Sequence, residues 1–221
     1  MNVEKALSEL KSLHNEKTAA HNIKYGATDT FGVKLGDIRA LAKKIKIDNS
    51  LAMDLWKTQN ADAQLLACLI IDPKTLTIGE LDGMASTIHF AHVADWFNAY
   101  LLKDHPEKET LRLKWLETDN RWKLRSAWSL TANRIAKSSD GLDLVAILDF
   151  LEHEMPNAPA EVQWTMNTAL AYIGIYHPKL RERALSLGES MGIYRDFPVS
   201  KGCTSPFAPI WINEIVSRQA K

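Results

Sequence analysis

The sequence predicts an all-α protein, and two patterns support this prediction. Apolar residues recur at spacings of three and four along almost the whole chain, which is typical of amphipathic helices. The alternation of apolar and polar residues that marks half-buried strands is missing over any useful length. Because the connections between the helical segments are short, antiparallel neighbours are expected.

The predicted helices begin with one or two over residues 3–23. A turn-rich loop at 26–32 follows, and Asp37 is expected to cap the next helix, IRALAKKI, which is basic. The helices predicted after it are Leu51–Thr58, Ala61–Ile71, Ile78–Ser86, His89–Lys103, Pro106–Glu117, Arg121–Lys137, Leu142–Glu154, Ala160–Tyr176 and Pro178–Met191. A loop rich in Pro, Gly and aromatic residues then leads to a last helix from about Pro206.

From Leu51 onwards the predicted helices fall into successive pairs. Stacked helix pairs form a curved array whose second helices line a concave face. We therefore predict one HEAT-like-repeat domain over residues 1–221, a right-handed superhelical array of antiparallel helix pairs, with an irregular loop and helix at 192–221. His89–Lys103, Arg121–Lys137 and Ala160–Tyr176 would line the concave face. A compact irregular bundle is the alternative architecture.

The composition limits the function classes. A chain of 221 residues with 46% hydrophobic content can bury a full core. Its 27 Lys/Arg are balanced by 27 Asp/Glu, which argues against wholesale electrostatic attachment to nucleic acid or to an anionic membrane. Any site for a polyanion must therefore come from local clustering of charge.

The remaining features of the sequence argue against cofactors and membranes. Cys68 lies in an apolar run and Cys203 in a loop, and nothing favours a disulfide between them, although the pairing stays open. His89 and His92 lack further ligands at zinc spacing, and no P-loop, GxGxxG, GxSxG or HExxH motif is present, so no metal, cofactor or nucleotide is expected. With no signal-peptide core and no apolar run of membrane-spanning length, we expect a soluble cytoplasmic monomer.

Positive charge is concentrated between Arg112 and Lys137, where seven Lys/Arg stand against two acids. The Arg121–Lys137 helix inside this stretch is predicted to pack one face, formed by Leu124, Ala127, Trp128, Thr131 and Ile135. The opposite face would present Trp122, Arg125, Ser126, Ser129 and Asn133. A guanidinium beside short hydroxyl and amide donors suits bidentate contact with a phosphate. A stacked, solvated Arg–Trp pair is the alternative.

Two further helices present polar or aromatic groups opposite their apolar faces. Asp95 lies among small neighbours on the His89–Lys103 helix, so a ligand can reach its carboxylate; a solvated residue on an amphipathic helix is the alternative. On the Ala160–Tyr176 helix, Trp164 and Thr168 lie away from the apolar side. Trp164 and Trp122 either pack against a neighbouring repeat or contact a ligand.

The chain resembles the HEAT-like-repeat DNA alkylation repair proteins, whose best understood members are AlkD-type DNA glycosylases. The resemblance rests on four stretches: FGVKLGDIRALAKKI at 31–45, VAD at 93–95, DNRWKLRSA at 119–127 and VQWTMNTALAYIG at 162–174. The ending SKGCTSPFAPIWI resembles that of a subgroup with an extra carboxy-terminal segment.

The resemblance implies excision of cationic N3- and N7-alkylpurines from duplex DNA. It gives Asp95 the catalytic position, stabilising the developing sugar cation and orienting water, and gives Arg125 the position that holds a backbone phosphate. The two tryptophan positions of the family site fall on Ala91 and Thr168, so Trp122 and Trp164 are expected to line the groove. Further phosphate contacts are expected from Lys34, Arg39, Lys43, Lys44, Arg121, Lys123 and Arg134.

Two other functions are compatible with the sequence. One is a non-catalytic binder of damaged or branched DNA that uses the same concave surface. The other is a repeat scaffold that binds protein along that face. The zero net charge favours the scaffold, and the basic stretch from Arg112 to Lys137 argues against it.

Overall fold

The computed structural model describes residues 1–219, and these residues form thirteen α-helices. Their contacts group into two compact units, residues 1–111 and residues 112–221, with the division inside the eighth helix. The helices up to that point are α1 Val3–Ser12, α2 Glu16–Lys24, α3 Leu35–Ile45, α4 Asn49–Lys57, α5 Ala61–Ile70, α6 Ile78–Ser86, α7 Ala91–Trp96 and α8 Lys108–Leu116. The others are α9 Arg121–Lys137, α10 Leu144–Glu154, α11 Ala160–Tyr176, α12 Arg181–Met191 and α13 Ala208–Gln219.

The prediction of an all-α fold is confirmed for the part of the chain that the structure describes. Its one β-type pairing is an isolated antiparallel bridge between His14 and Val33. The bounds of α6, α9 and α11 agree with the predicted ones. Side-chain caps explain two of these starts: Thr77 and Glu80 form a capping box on α6, and Asn120 accepts from the amides of the first turn of α9.

Two sequence predictions about helix starts and continuity are wrong. Asp37 does not cap α3: the helix already begins at Leu35, and Asp37 lies inside its first turn, where a carboxylate complements the helix dipole. The predicted His89–Lys103 helix begins at Ala91, and after Trp96 it continues as a π-helical segment, Phe97–Leu102. Such a wide turn, with i to i+5 hydrogen bonds, rotates the following side chains relative to an α-helix. Asn98, which lies in this segment, is accordingly buried.

Asp62 organises the loop that leads into α3. This fully buried carboxylate accepts hydrogen bonds from the Thr30 hydroxyl at 2.8 Å and from the amides of Phe31, Gly32 and Val33 at 2.6, 3.1 and 3.0 Å. Gly32 has a positive φ of 72°, and a Cβ there would lie 2.4 Å from the backbone nitrogen of Ala19. Only glycine fits this position. The hydrogen bonds of the Asp62 carboxylate hold the loop and so fix where the basic helix α3 begins.

The second unit is built around α9 and α11, which pack along each other. Trp128, Ile135, Met166 and Leu170 belong to its core. Helix α13 packs closely on α11, since a Cβ at Gly174 would lie 2.4 Å from the Cδ1 of Ile212. The segment after α12 is therefore fixed onto this core at its far end.

The cysteines play no structural role as a pair. Both Cys68 and Cys203 are free thiols, so the open question of a disulfide is answered in the negative. Burial raises the pKa of the Cys68 thiol well above its usual range, whereas Cys203 is exposed.

Candidate nucleic-acid interface

The exposed basic surface of the first unit lies on α3. Arg39 and Lys43 are one helical turn apart, and both side chains are exposed. Between Lys34 and Lys46 five Lys/Arg stand against the single acid Asp37. This stripe has the local excess of positive charge that a phosphate backbone requires.

Arg39 is held against an aromatic ring of α7. Its guanidinium carbon lies 4.5 Å from the centroid of the buried Trp96 ring, which in turn makes an edge contact with Tyr100 at 5.4 Å. A cation over an indole face is stabilised electrostatically while its outer N–H groups stay available. The stacking therefore fixes Arg39 on the ring of the residue that follows Asp95.

Asp95 lies on the exposed side of α7, as the sequence predicts. It is preceded one turn earlier by Ala91, which is half-buried and small. Asp95 directly precedes Trp96, the residue whose ring carries Arg39.

Two cations of the second unit, Arg121 and Lys123, lie in the first turn of α9. Arg121 is exposed and Lys123 half-buried, and the Asn120 side chain accepts from the Trp122 and Lys123 amides at 3.0 and 3.1 Å. Arg121 also pairs with the carboxylate of Glu161 in the first turn of α11, at 3.5 Å.

The prediction that α9 presents an open polar face is wrong for three of its residues. Trp122, Arg125 and Ser126 are 5%, 3% and 0% exposed, whereas Ser129 and Asn133 are half-buried. Helix α11 packs along α9 and covers this side of it. A long helix that packs on two sides buries polar residues as well as apolar ones. Two cations of the Arg112–Lys137 stretch, Arg112 and Arg125, are thus interior groups.

Arg125 links α9 to α11. Its Nη1 donates to the backbone carbonyl of Glu161 at 2.7 Å. Arg121 and Arg125 therefore contact the same residue, one through the carboxylate and the other through the main chain. Whether Arg125 also meets a phosphate stays a prediction, but its visible partner is the protein itself.

Trp164 and Thr168 lie on one side of α11. Trp164 is 36% exposed, and the Thr168 hydroxyl donates to the Trp164 carbonyl at 3.0 Å. This bond back along the helix occupies the hydroxyl hydrogen of Thr168. Thr168 has no ring, so the aromatic surface on this side of α11 is that of Trp164, one turn earlier.

The sequence analysis missed two aromatic residues beside Trp164. Tyr194 and Phe197, from the segment after α12, lie with ring centroids 5.2 and 5.6 Å from that of Trp164. Burial raises the pKa of Tyr194 to about 12, partly opposed by the positive charge of Arg125. The phenol is therefore neutral at physiological pH and lies near that guanidinium. Only the density of aromatics in the loop hinted at this cluster.

No group of three or more His, Cys, Asp or Glu among residues 1–219 is arranged to hold a metal ion. Likewise, none of the described helices combines the length and apolar character needed to cross a bilayer.

Comparison with protein families gives a match over most of the chain. The family described as "DNA alkylation repair enzyme" matches residues 6–191. The chain belongs to the DNA alkylation repair family. The match ends at the last residue of α12, so the segment that carries Tyr194, Phe197 and α13 lies outside the part that defines the family.

Two relatives found by sequence comparison come from Listeria. An uncharacterized protein of Listeria innocua is 21% identical over 217 residues, which cover 96% of each chain. A second, from Listeria monocytogenes, is 21% identical over 221 residues with the same coverage. This member of the DNA alkylation repair family therefore has full-length relatives of similar size.

A solved structure confirms the fold. It belongs to a new family of proteins related to the HEAT-like repeat DNA glycosylases with affinity for branched DNA structures. The match has a TM-score of 0.80 and 24% identity, and it covers 99% of this chain and 95% of the solved one. The predicted all-α, HEAT-like-repeat fold is thus correct.

Proposed function

We propose that this member of the DNA alkylation repair family binds DNA, and that it prefers branched or damaged DNA to a regular duplex. The observation that carries the proposal is the exposed pair Arg39 and Lys43 on α3, with Arg39 held on the Trp96 ring. In a chain without net charge, this exposed cation pair is suited to phosphate contact. Arg121 and Lys123 in the first turn of α9 add a second set of phosphate ligands.

The preference for altered DNA rests on the neighbour and on the residues of the site. The solved protein with the same fold has affinity for branched DNA structures. Ala91 and Thr168 occupy the positions where the resembling glycosylases carry tryptophan walls, which favours recognition of DNA shape over enclosure of one alkylated base. A regular duplex would then be bound through its phosphates alone.

Replacing both Arg39 and Lys43 by alanine is expected to weaken DNA binding on the order of tenfold at low salt. The slope of log K against log salt concentration should fall by about 2, since each phosphate contact contributes about 0.9. Fluorescence anisotropy of a labelled three-way junction and of a duplex of equal length, over a salt series, measures both quantities.

The matched control removes two exposed lysines of the same unit, Lys57 and Lys74, and gives the same net charge. It should bind as the unmodified protein does, because neither lysine belongs to α3. Equal losses in the two double variants would contradict a specific role for α3. A complete lack of DNA binding by the unmodified protein would favour the protein-binding scaffold instead.

A second candidate function is excision of cationic N3- and N7-alkylpurines, and the exposed Asp95 favours it. An alkylated purine already carries positive charge and leaves as a neutral base, so no general acid is needed. A single carboxylate beside the sugar can stabilise the developing cation and orient the attacking water. Ala91, one turn before, is small and half-buried.

Replacing Asp95 by asparagine is expected to reduce release of alkylpurines on the order of a hundredfold, because the neutral amide no longer stabilises the sugar cation. Chromatography of bases released from methylated duplex DNA measures the effect. Junction affinity serves as the control and should not fall in Asp95→Asn. If the unmodified protein releases no more base than this variant, the excision function is wrong and the binding proposal still stands.

A further inference from the structure

Three aromatic side chains form a mutually contacting cluster at the surface of the second unit. The centroids of Trp164, Tyr194 and Phe197 are 5.2, 5.6 and 5.7 Å apart. Trp164 is 36% exposed and Phe197 41%, so ring surface faces solvent. Two of the three residues come from the segment after residue 191, where the match to the family ends.

The segment that carries Tyr194 and Phe197 is held in place by Arg195. This side chain donates to the Glu189 carboxylate at 2.7 Å and to the Glu189 carbonyl at 2.8 Å, and its guanidinium lies 4.6 Å from the Phe207 ring centroid. Tyr194 itself adopts a left-handed φ of 64°, which is unfavourable for a residue other than glycine. The surrounding contacts therefore stabilise a backbone conformation that is unfavourable for tyrosine, and so fix the position of the ring.

Cationic groups border this cluster. Glu161 and Trp164 are three residues apart on α11 and so lie next to each other on its surface. Arg121 and Arg125 both contact Glu161, through its carboxylate at 3.5 Å and its carbonyl at 2.7 Å. Of the two, Arg121 is exposed and can contact a phosphate next to a group seated on the rings.

We propose that Trp164, Tyr194 and Phe197 form a stacking platform for an unpaired nucleobase of branched or single-stranded DNA. Aromatic rings bind bases of any sequence because every base offers a π face, and a neighbouring cation secures the adjoining phosphate. This inference rests on the proposed DNA binding and adds the part of the DNA that the second unit would contact. The neighbouring arginine favours a nucleic acid over an apolar peptide as the occupant.

Replacing Trp164 or Phe197 by alanine should reduce affinity for a junction with unpaired bases about tenfold, the loss expected for one stacked base. Duplex affinity should change less than twofold, because paired bases cannot reach the platform. Trp164→Phe, which keeps a ring, should retain most of the affinity. The matched control is Tyr176→Ala, since Tyr176 is 44% exposed on the same helix and lies outside the cluster.

Stacking can be observed directly with 2-aminopurine at the unpaired position of the junction. Its fluorescence should be quenched by the unmodified protein and by Tyr176→Ala, but not by Trp164→Ala. Unchanged junction affinity and quenching in both cluster variants would overturn the platform, as would an equal loss for junction and duplex. A loss confined to the Arg39/Lys43 variant would leave the proposed DNA binding standing without the platform.

Discussion

Asp62→Ala should lower the free energy of unfolding by about 3 to 6 kcal/mol, because its carboxylate is the common acceptor for three backbone amides and one hydroxyl. Each buried donor left without an acceptor costs about 1–3 kcal/mol. The Val33 amide lies in a buried residue, so water replaces its lost acceptor poorly, whereas the Gly32 amide keeps the Thr30 hydroxyl at 3.0 Å. Urea unfolding followed by circular dichroism measures the change.

Two further variants make this expectation specific. Asp62→Asn keeps one acceptor oxygen but turns an amide N–H toward a backbone donor, so an intermediate loss is expected. Asp54→Ala removes an exposed carboxylate of the same unit that pairs with Lys57 at 3.2 Å, and it should change stability by less than about 1 kcal/mol. If the free energy of unfolding of Asp62→Ala lies within about 1 kcal/mol of that of the unmodified protein, the assigned role of this carboxylate is wrong.

The effect of Asp62 extends to the candidate interface. The loop that it holds ends at Lys34, and α3 with Arg39 and Lys43 begins directly after it. A variant that loosens this loop should therefore also weaken DNA binding if the α3 proposal is correct. The connection between a buried acid of α5 and an exposed basic stripe of α3 is not visible in the sequence, since about 30 residues separate Asp62 from its partners.

Helical periodicity predicted most of the fold, because it reports directly which positions of a helix are buried. The predicted bounds of α9 and α11 agree with the structure to the residue, and Asn120 and Pro159 precede these helices. The turn of π-helix after Trp96 was not predictable in this way, because an i to i+5 bond leaves no signal in apolar spacing.

Periodicity failed for the candidate site where polar residues are buried. It placed Arg125 on an open face, where a guanidinium usually lies. The backbone carbonyl of another helix that accepts the hydrogen bond from Arg125 has no sequence signature. Tyr194 and Phe197 were missed because their positions depend on Arg195, Glu189 and Phe207, which are brought together only by the folded chain. Asp95, Arg39 and Lys43 are exposed, and their roles at a DNA site stay predictions.

Arg125→Ala should lower the free energy of unfolding by about 2 to 4 kcal/mol, an effect on stability larger than any direct effect on DNA affinity. The side chain is 3% exposed, and its Nη1 donates to the Glu161 carbonyl at 2.7 Å. Truncation removes this charge-assisted bond and leaves a cavity between α9 and α11. Burial of Tyr194 near the guanidinium indicates that the loop after α12 would also loosen.

Arg121→Ala is the matched control for Arg125, because Arg121 lies one turn earlier on α9 and contacts the same Glu161 through an exposed ion pair at 3.5 Å. It should change stability by less than about 1 kcal/mol. The loss of stability in Arg125→Lys should lie between those of Arg125→Ala and Arg121→Ala, since lysine keeps the charge but lacks the planar guanidinium. Thermal unfolding measures all three, and anisotropy with duplex DNA completes the comparison. An Arg125→Ala protein of unchanged stability that no longer binds duplex would show that Arg125 contacts phosphate and does not serve mainly to join α9 to α11.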